Sequence, residues 1–200
     1  MISMKNRIQS IAEKSMLQRW RDLLRDRRGV GAVEFAFVAP ILVVLYIGAV
    51  EMTVALSVDT KVSRAGNITL DLITQGTSTS RAELAAMPDV ATSILAPYTG
   101  ANVELKYTAI TVSDDGTKAT VNWSWGNLTT KPYTAGAEIT IPASLMIAEA
   151  FYIRGEILNT HDFLTSIPFM GSNATSLDLN ETYYMRPRLG TSIDCSDCNS

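Results

Sequence analysis

The chain has 200 residues, a formal net charge of −3 at pH 7 and 46% hydrophobic residues. A chain of this length with one apolar span leaves about 140 residues, which is enough for a single modest core. Two cysteines and one histidine supply too few ligands for a four-coordinate zinc site, so the composition argues against a structural zinc protein.

The N-terminal arm, residues 1–28, is basic and directly precedes the apolar run. Lysine and arginine beside a span favour the cytoplasmic side, so we expect the arm to stay in the cytoplasm and the C-terminal part to be exported. This position accounts for the charge without a nucleic-acid partner. The arm is longer than an ordinary secretory n-region and no Ala-x-Ala site follows the span, which disfavours a conventional signal peptide. Its apolar residues predict an amphipathic helix at the membrane surface, with Trp20 at headgroup level.

The apolar run from Phe35 to Val50 contains no charged residue, and Val30 to Val50 contains only Glu34. At about 1.5 Å per residue this run crosses a hydrocarbon core of roughly 30 Å, so we predict a transmembrane helix at 30–53. Pro40 lies inside it and predicts a kink rather than an end, because membrane helices tolerate proline. A carboxylate costs about 2.5–3.5 kcal/mol near the bilayer centre and less near its edge, so Glu34 is expected to have a partner or a function.

The residues around Gly29 resemble the processing site of type IV prepilins, in which a peptidase cuts after glycine and leaves glutamate at the fifth mature position. Here the cut falls between Gly29 and Val30, and Glu34 becomes the fifth residue. The wider pattern Arg-Arg-Gly-Val-Gly-Ala-Val-Glu-Phe-Ala-Phe-Val-Ala-Pro resembles TadE-like pseudopilins (the TadE/TadG family) of Tad/Flp type IV pilus assembly. The resemblance covers residues 27–70.

This resemblance implies that residues 1–29 are a leader cleaved after Gly29. The amine freed at Val30 would then pair in lipid with Glu34 of a neighbouring subunit, next to Phe35 of the same motif. An α-amine is cationic at neutral pH and would offset the buried carboxylate. The alternatives are that Glu34 reaches water near the interface or stays protonated, and that Gly29 is a flexible joint.

After the span we predict a helix extension at 54–76. Small apolar residues recur there at helical spacing, with Lys61 and Arg64 off the stripe, and Gly76 follows the helix in C-cap position. The predicted stripe comprises Ala55, Val58, Val62, Ala65 and Leu72. Ser80 and Glu83 have the spacing of a capping box and predict a second helical segment towards Ala96, with Pro88 either kinking or restarting it.

The segment 77–200 is expected to be a periplasmic α+β domain. Alternating residues predict strands at 103–109 and 119–125, with Trp123 and Trp125 on one covered face and a turn at 113–116 between the strands. Further predicted strands lie at 137–141, at 145–153 as a central strand buried on both faces, and at 177–185. The periodicity predicts an α+β fold, with a long N-terminal transmembrane helix followed by a small antiparallel β-sheet domain. The resemblance to TadE-like pseudopilins implies the pilin-like arrangement, in which the helix is laid against the sheet.

Two features near the C-terminus remain. Cys195 and Cys198 form a Cys-x-x-Cys without a second pair or a following helix start, so on the exported side we favour a disulfide between them over pairing with another chain. The stretch from Tyr183 to Arg188 resembles a C-terminal pattern of TadE-type proteins. From its residues we predict an edge strand ended by Pro187, with arginines paired to acids.

The resemblance implies a pseudopilin or minor pilin in the biogenesis of a Tad-type (Flp) pilus. It implies a single-pass protein of the bacterial inner membrane, with a cytoplasmic N-terminus and a periplasmic C-terminal domain, and leaves open whether it enters the fibre. The implied partners are membrane lipid, the prepilin peptidase, other pseudopilins and the Tad inner-membrane platform. We expect a substrate of the peptidase rather than an enzyme, with no catalytic residue, cofactor, metal, nucleic acid or small-molecule substrate.

Two alternatives remain open at this stage. One is an uncleaved single-span inner-membrane protein with a periplasmic binding domain. The other is an envelope enzyme that uses the C-terminal domain, for example through the cysteine pair.

Overall fold

The computed structural model describes residues 21–22, 29–98, 103–129, 131–163 and 176–198. The amphipathic helix predicted for the basic arm falls almost wholly outside these residues. The described elements are α1 (Val30–Thr74), β1 (Ser78–Thr79), α2 (Arg81–Leu95), β2 (Glu104–Val112), β3 (Ala119–Gly126), a 3-10 turn (Ala143–Leu145), β4 (Phe151–Asp162), β5 (Ser176–Met185) and β6 (Asp194–Cys195). A long N-terminal helix followed by a small antiparallel sheet confirms the expected α+β class.

The chain divides into two compact units, Met1–Ala49 and Val50–Ser200. In the first unit, the described part of α1 is an apolar helix that runs through Pro40 without ending there. Its large side chains are exposed within the chain: Val30, Val33, Phe35, Phe37, Val38, Ile41, Leu42, Val43, Val44, Leu45, Tyr46 and Ile47. By length and composition, α1 is able to cross a membrane.

In the second unit, the rest of α1 contributes one face to the core. Four residues of the predicted stripe are buried there: Ala55, Val58, Val62 and Ala65. The prediction for Leu72 is wrong, since this side chain is 42% exposed. Steps of four residues from Ala65 lead to Thr69 and Ile73, which are buried, and the 3.6-residue period turns Leu72 away from that face.

The sheet has the strand order β3-β2-β4-β5, and all neighbours are antiparallel. Trp123 and Trp125 of β3 are buried, which confirms the covered face. Tyr152 and Ile153 are consecutive in β4 but belong to different apolar clusters. Because successive strand residues point to opposite faces, this sheet carries apolar cover on both sides.

Two of the predicted strands are wrong in place or kind. Residues 137–141 form no strand but run along β3 with one isolated bridge, Thr120 to Glu138. The apolar run at 145–153 is mostly irregular and includes Glu149 at a φ of 59°, and β4 begins only at Phe151. The physical reason is that irregular residues of this run, such as Met146, cover the smaller apolar cluster, so their burial does not require a strand. The last strand, predicted at 177–185, is confirmed as β5.

Candidate functional site

The predicted processing segment lies at the start of α1. Gly29 directly precedes the helix, and apart from its chain neighbours no atom of the described residues lies within 4 Å of the place a Cβ would take on it. Val30 and Phe35 are 48% and 66% exposed, and Glu34 is exposed as well. Within this chain, the segment is therefore open to an external partner.

Val30 and Glu34 share one side of α1. Four residues turn an α-helix by about 400° and advance it by about 6 Å, so these two positions fall nearly in line along the axis. No other charged residue occurs between Val30 and Val50. A free amine at Val30 would therefore belong to the residue about one helical turn before Glu34 of its own chain.

The second feature of α1 is its close packing against β4 and β5. A Cβ at Gly66 would lie 2.8 Å from Tyr183 Cε2 and 2.9 Å from Ile157 Cγ2. A Cβ at Gly155 would lie 3.2 Å from both Cδ atoms of Leu70. The two glycines thus allow the helix and the sheet to approach at these points, and they place Tyr183 of the C-terminal pattern against the helix.

The segment from Tyr183 to Arg188 ends the edge strand β5, as predicted. Arg188 forms an ion pair with Asp71, and its backbone N–H donates to Thr74 O at 2.9 Å. Arg186 donates to the hydroxyl oxygen of Tyr152 at 3.0 Å and lies 5.2 Å from the centre of that ring. One arginine therefore pairs with an acid, while the other binds a tyrosine that the sequence did not single out.

Cys195 and Cys198 are joined by a disulfide in the structure. Both are buried, at 7% and 2% exposure, and both belong to the larger apolar cluster. The two sulfur atoms are bonded to each other, so they are not free to act as thiolate ligands of a metal ion together with the neighbouring Asp197.

Charged residues surround a small cavity beside β2 and β4. Lys106 pairs with Glu104 at 3.0 Å, and this hydrogen bond raises the pKa of the lysine. Arg154 pairs with Glu156 at 2.7 Å, and Tyr133 donates to Glu156 at 3.1 Å. The cavity measures about 60 Å³. Small-molecule sites typically measure about 300–1,000 Å³, so this cavity is of the size for water rather than a substrate.

Together these features define a class: a protein whose described residues include a candidate membrane helix near the N-terminus and an α+β domain with a disulfide in its C-terminal segment. The model of the TadE-like protein family matches residues 29–67, which confirms the resemblance over that segment. The match begins at the glycine of the predicted cut and runs through the exposed apolar helix into the part of α1 that contributes to the core. No curated protein and no solved structure matches the chain.

Proposed function

We propose that the protein is a pseudopilin or minor pilin that takes part in the biogenesis of a Tad-type pilus and is cut after Gly29 by a prepilin peptidase. One observation carries this proposal: the TadE-like match begins at Gly29, and α1 begins at the next residue. A cut between Gly29 and Val30 would release the helix whole, with Glu34 near its new N-terminus.

The geometry of α1 supports the pairing of Glu34 with a neighbouring subunit. The backbone positions of Val30 and Glu34 share a face and are about 6 Å apart along the axis. A second subunit, displaced by about that distance, would bring its amine level with this carboxylate. Pairing in lipid neutralises both charges, whereas an unpaired carboxylate costs about 2.5–3.5 kcal/mol near the bilayer centre and less near its edge.

In this proposal the exposed apolar part of α1 lies in the inner membrane and the domain from residue 77 onward lies in the periplasm. The basic arm supports that orientation. The prepilin peptidase, other pseudopilins and the Tad inner-membrane platform are the proposed partners. The protein is a substrate of the peptidase rather than an enzyme, and the burial of both cysteines disfavours the alternative in which they exchange with an external thiol.

The test is the N-terminal residue of the protein purified from membranes, with and without the cognate peptidase. We expect Val30 at the terminus only when the peptidase is present. Gly29→Leu should leave the terminus at Met1, since a side chain at this position would keep the peptidase from the backbone it cuts, while the described residues leave room for that side chain within this chain. Gly48→Ala is a matched control in open space and should be processed normally.

A terminus at Met1 in the presence of an active peptidase would overturn the proposal. The chain would then be treated as an uncleaved single-span protein with an exported binding domain. Tryptophan fluorescence of each variant separates a folding defect from failed cleavage, because Trp123 and Trp125 are buried in the folded domain.

A further inference from the structure

The C-terminal strap, defined as residues 188–198, binds the chain where α1 ends and α2 begins. Its first residue, Arg188, contacts both Asp71 and Thr74 in the last turn of α1. Farther along, β6 pairs in parallel with β1, the short strand between the two helices. Between these contacts Ile193 is fully buried, and its carbonyl accepts the Trp123 Nε1–H at 2.8 Å.

Asp197 of the strap accepts a hydrogen bond at the start of α2. Its two carboxylate oxygens lie 3.0 and 3.2 Å from the backbone nitrogen of Arg81, the first residue of α2. The first N–H groups of a helix have no partner within the helix, and a negative charge is favoured there. Ser80 caps Glu83 N within the same turn, so Asp197 supplies a second cap from 116 residues away in sequence.

Asp197 lies inside the loop that the disulfide closes. The bond joins Cys195 to Cys198, three positions apart, and thereby restricts the backbone on both sides of Asp197. Cys195 is at the same time the last residue of β6. The bond therefore acts on the two contacts that attach the strap to the start of α2.

We propose that this disulfide is an oxidation-dependent latch. Its formation docks the strap against the end of α1, the strand β1 and the start of α2, and the docked strap then shields the bond from reduction. Both cysteines are buried once the strap is docked, so a reducing thiol reaches them only after the strap opens. That the oxidation takes place in the periplasm rests on the proposed function. The latch itself depends only on contacts within this chain and can be tested on the purified protein.

In the oxidation, each thiol loses one proton and the pair gives two electrons to an acceptor disulfide. The acceptor, a disulfide-containing oxidoreductase of the cell envelope or oxidised glutathione in vitro, leaves as two thiols. One sulfur–sulfur bond forms in this protein, and one breaks in the acceptor.

The test uses the full chain in detergent micelles and compares hydrogen exchange in two states. One state is oxidised with glutathione disulfide, and the other is unfolded with reductant and refolded in its presence. We expect exchange at residues 81–84 and 193–195 to be slower in the oxidised chain, on the order of tenfold. Equal exchange in the two states would overturn the latch.

A variant keeps the test decisive even where the reduced chain refolds poorly. Asp197→Ala leaves both cysteines in place, so the bond still forms. We expect the oxidised variant to exchange at Arg81 on the order of tenfold faster than the oxidised wild type and to be reduced faster by dithiothreitol under native conditions. Asp178→Ala, which removes an exposed acid of β5, is the control and should change neither rate.

Wild-type exchange and reduction rates in Asp197→Ala would show that the strap does not guard the bond, and they would overturn the inference. None of these measurements depends on cleavage at Gly29. Their failure would leave the proposed function standing, and a Met1 terminus would leave the latch standing.

Discussion

Gly66 of α1 lies directly against the ring of Tyr183 in β5, so that a Cβ at Gly66 would be 2.8 Å from Tyr183 Cε2. The same Cβ would be 2.9 Å from Ile157 Cγ2 in β4. Glycine is a poor helix former and destabilises a helix by about 1 kcal/mol relative to alanine. At Gly66 the close packing of α1 on the sheet offsets this loss. The contact links the family-matched segment of α1 to the C-terminal pattern that begins at Tyr183.

We therefore expect Gly66→Ala to destabilise the domain despite the better helix propensity of alanine. Overpacking a filled interface typically costs about 1–3 kcal/mol, against a propensity gain of about 1 kcal/mol, so we expect a net loss of up to about 2 kcal/mol. Urea unfolding of the detergent-solubilised chain, followed by tryptophan fluorescence, measures the change. Gly48→Ala is the control, because no atom of the described residues outside its own helical turn lies within 4 Å of the added group. A Gly66→Ala protein at least as stable as the wild type would refute the packing argument.

The parts of the fold that were predictable from the sequence are those with local signals. The first part of α1 follows from the apolar run up to Val50, and its second part follows from small apolar residues at helical spacing. The start of α2 follows from the Ser80–Glu83 capping box, which the structure confirms. The long-range contacts had no such signal. Nothing local to Asp197 indicates that it caps Arg81, and nothing local to Arg186 indicates Tyr152 as its partner.

The misplaced strand at 145–153 shows the limit of apolar patterns. Burial can be reached by an irregular segment as well as by a strand, and the pattern records burial only. Leu145 belongs to a 3-10 turn and still packs on the smaller apolar cluster. The true strand, β4, continues to Asp162 through polar residues that a search for a hydrophobic run passes over.

The buried phenol of Tyr107 should make the domain less stable at alkaline pH. Burial raises the pKa of its phenol above the ordinary value of 10. The unfolded chain therefore ionises first, so the stabilising contribution is complete below pH 10 and is lost as the pH rises towards the folded pKa. We expect Tyr107→Phe to unfold less readily than the wild type between pH 10 and 12, as measured by urea midpoints at several pH values.

At pH 7 the same substitution should change stability by less than about 1 kcal/mol. The Tyr107 hydroxyl is buried and makes no hydrogen bond of normal geometry with the described residues, while Thr69 beside it donates to Ala65 O at 2.9 Å. Removing an unsatisfied hydroxyl leaves no orphaned partner behind. A loss of several kcal/mol at pH 7, or an unchanged slope in alkali, would contradict this account.

The carboxylate of Asp115 should make the stability of the domain fall in acid, the opposite direction of pH from Tyr107. Hydrogen bonds from Ser113 and Thr117 in the turn after β2 lower its pKa to about 2 from an ordinary value of 3.8. Its contribution is present above pH 4 and is lost as the pH falls towards 2. We expect Asp115→Asn to be less stable than the wild type at pH 6, and the difference to shrink at pH 2.5.

The titration of the Asp115 side chain by NMR measures the same effect directly. Ser113→Ala removes the donor that contributes most to the shift, so the Asp115 midpoint should rise towards its ordinary value. A midpoint that stays near 2 in this variant would show that the Ser113 hydroxyl is not responsible.

Glu34 supplies the sharpest prediction about assembly, because it separates cleavage from pairing. We expect Glu34→Ala and Glu34→Gln to keep Val30 as the N-terminal residue after processing, since the peptide bond cut lies four residues away. Both should lose pilus formation, because an uncharged side chain cannot neutralise the amine of a neighbouring subunit in lipid. Glu34→Asp keeps the charge on a shorter side chain and should retain part of the assembly.

The measurement combines N-terminal sequencing of the membrane protein with pilus counts by electron microscopy in a strain that lacks the wild-type gene. Val33→Ala, which alters a neighbouring exposed side chain without touching a charge, should assemble normally. If Glu34→Ala has a Val30 terminus and forms pili normally, the protein is processed as proposed but assembly does not need the charge pair. The apolar face of α1 would then have to set the register between neighbouring helices by packing alone.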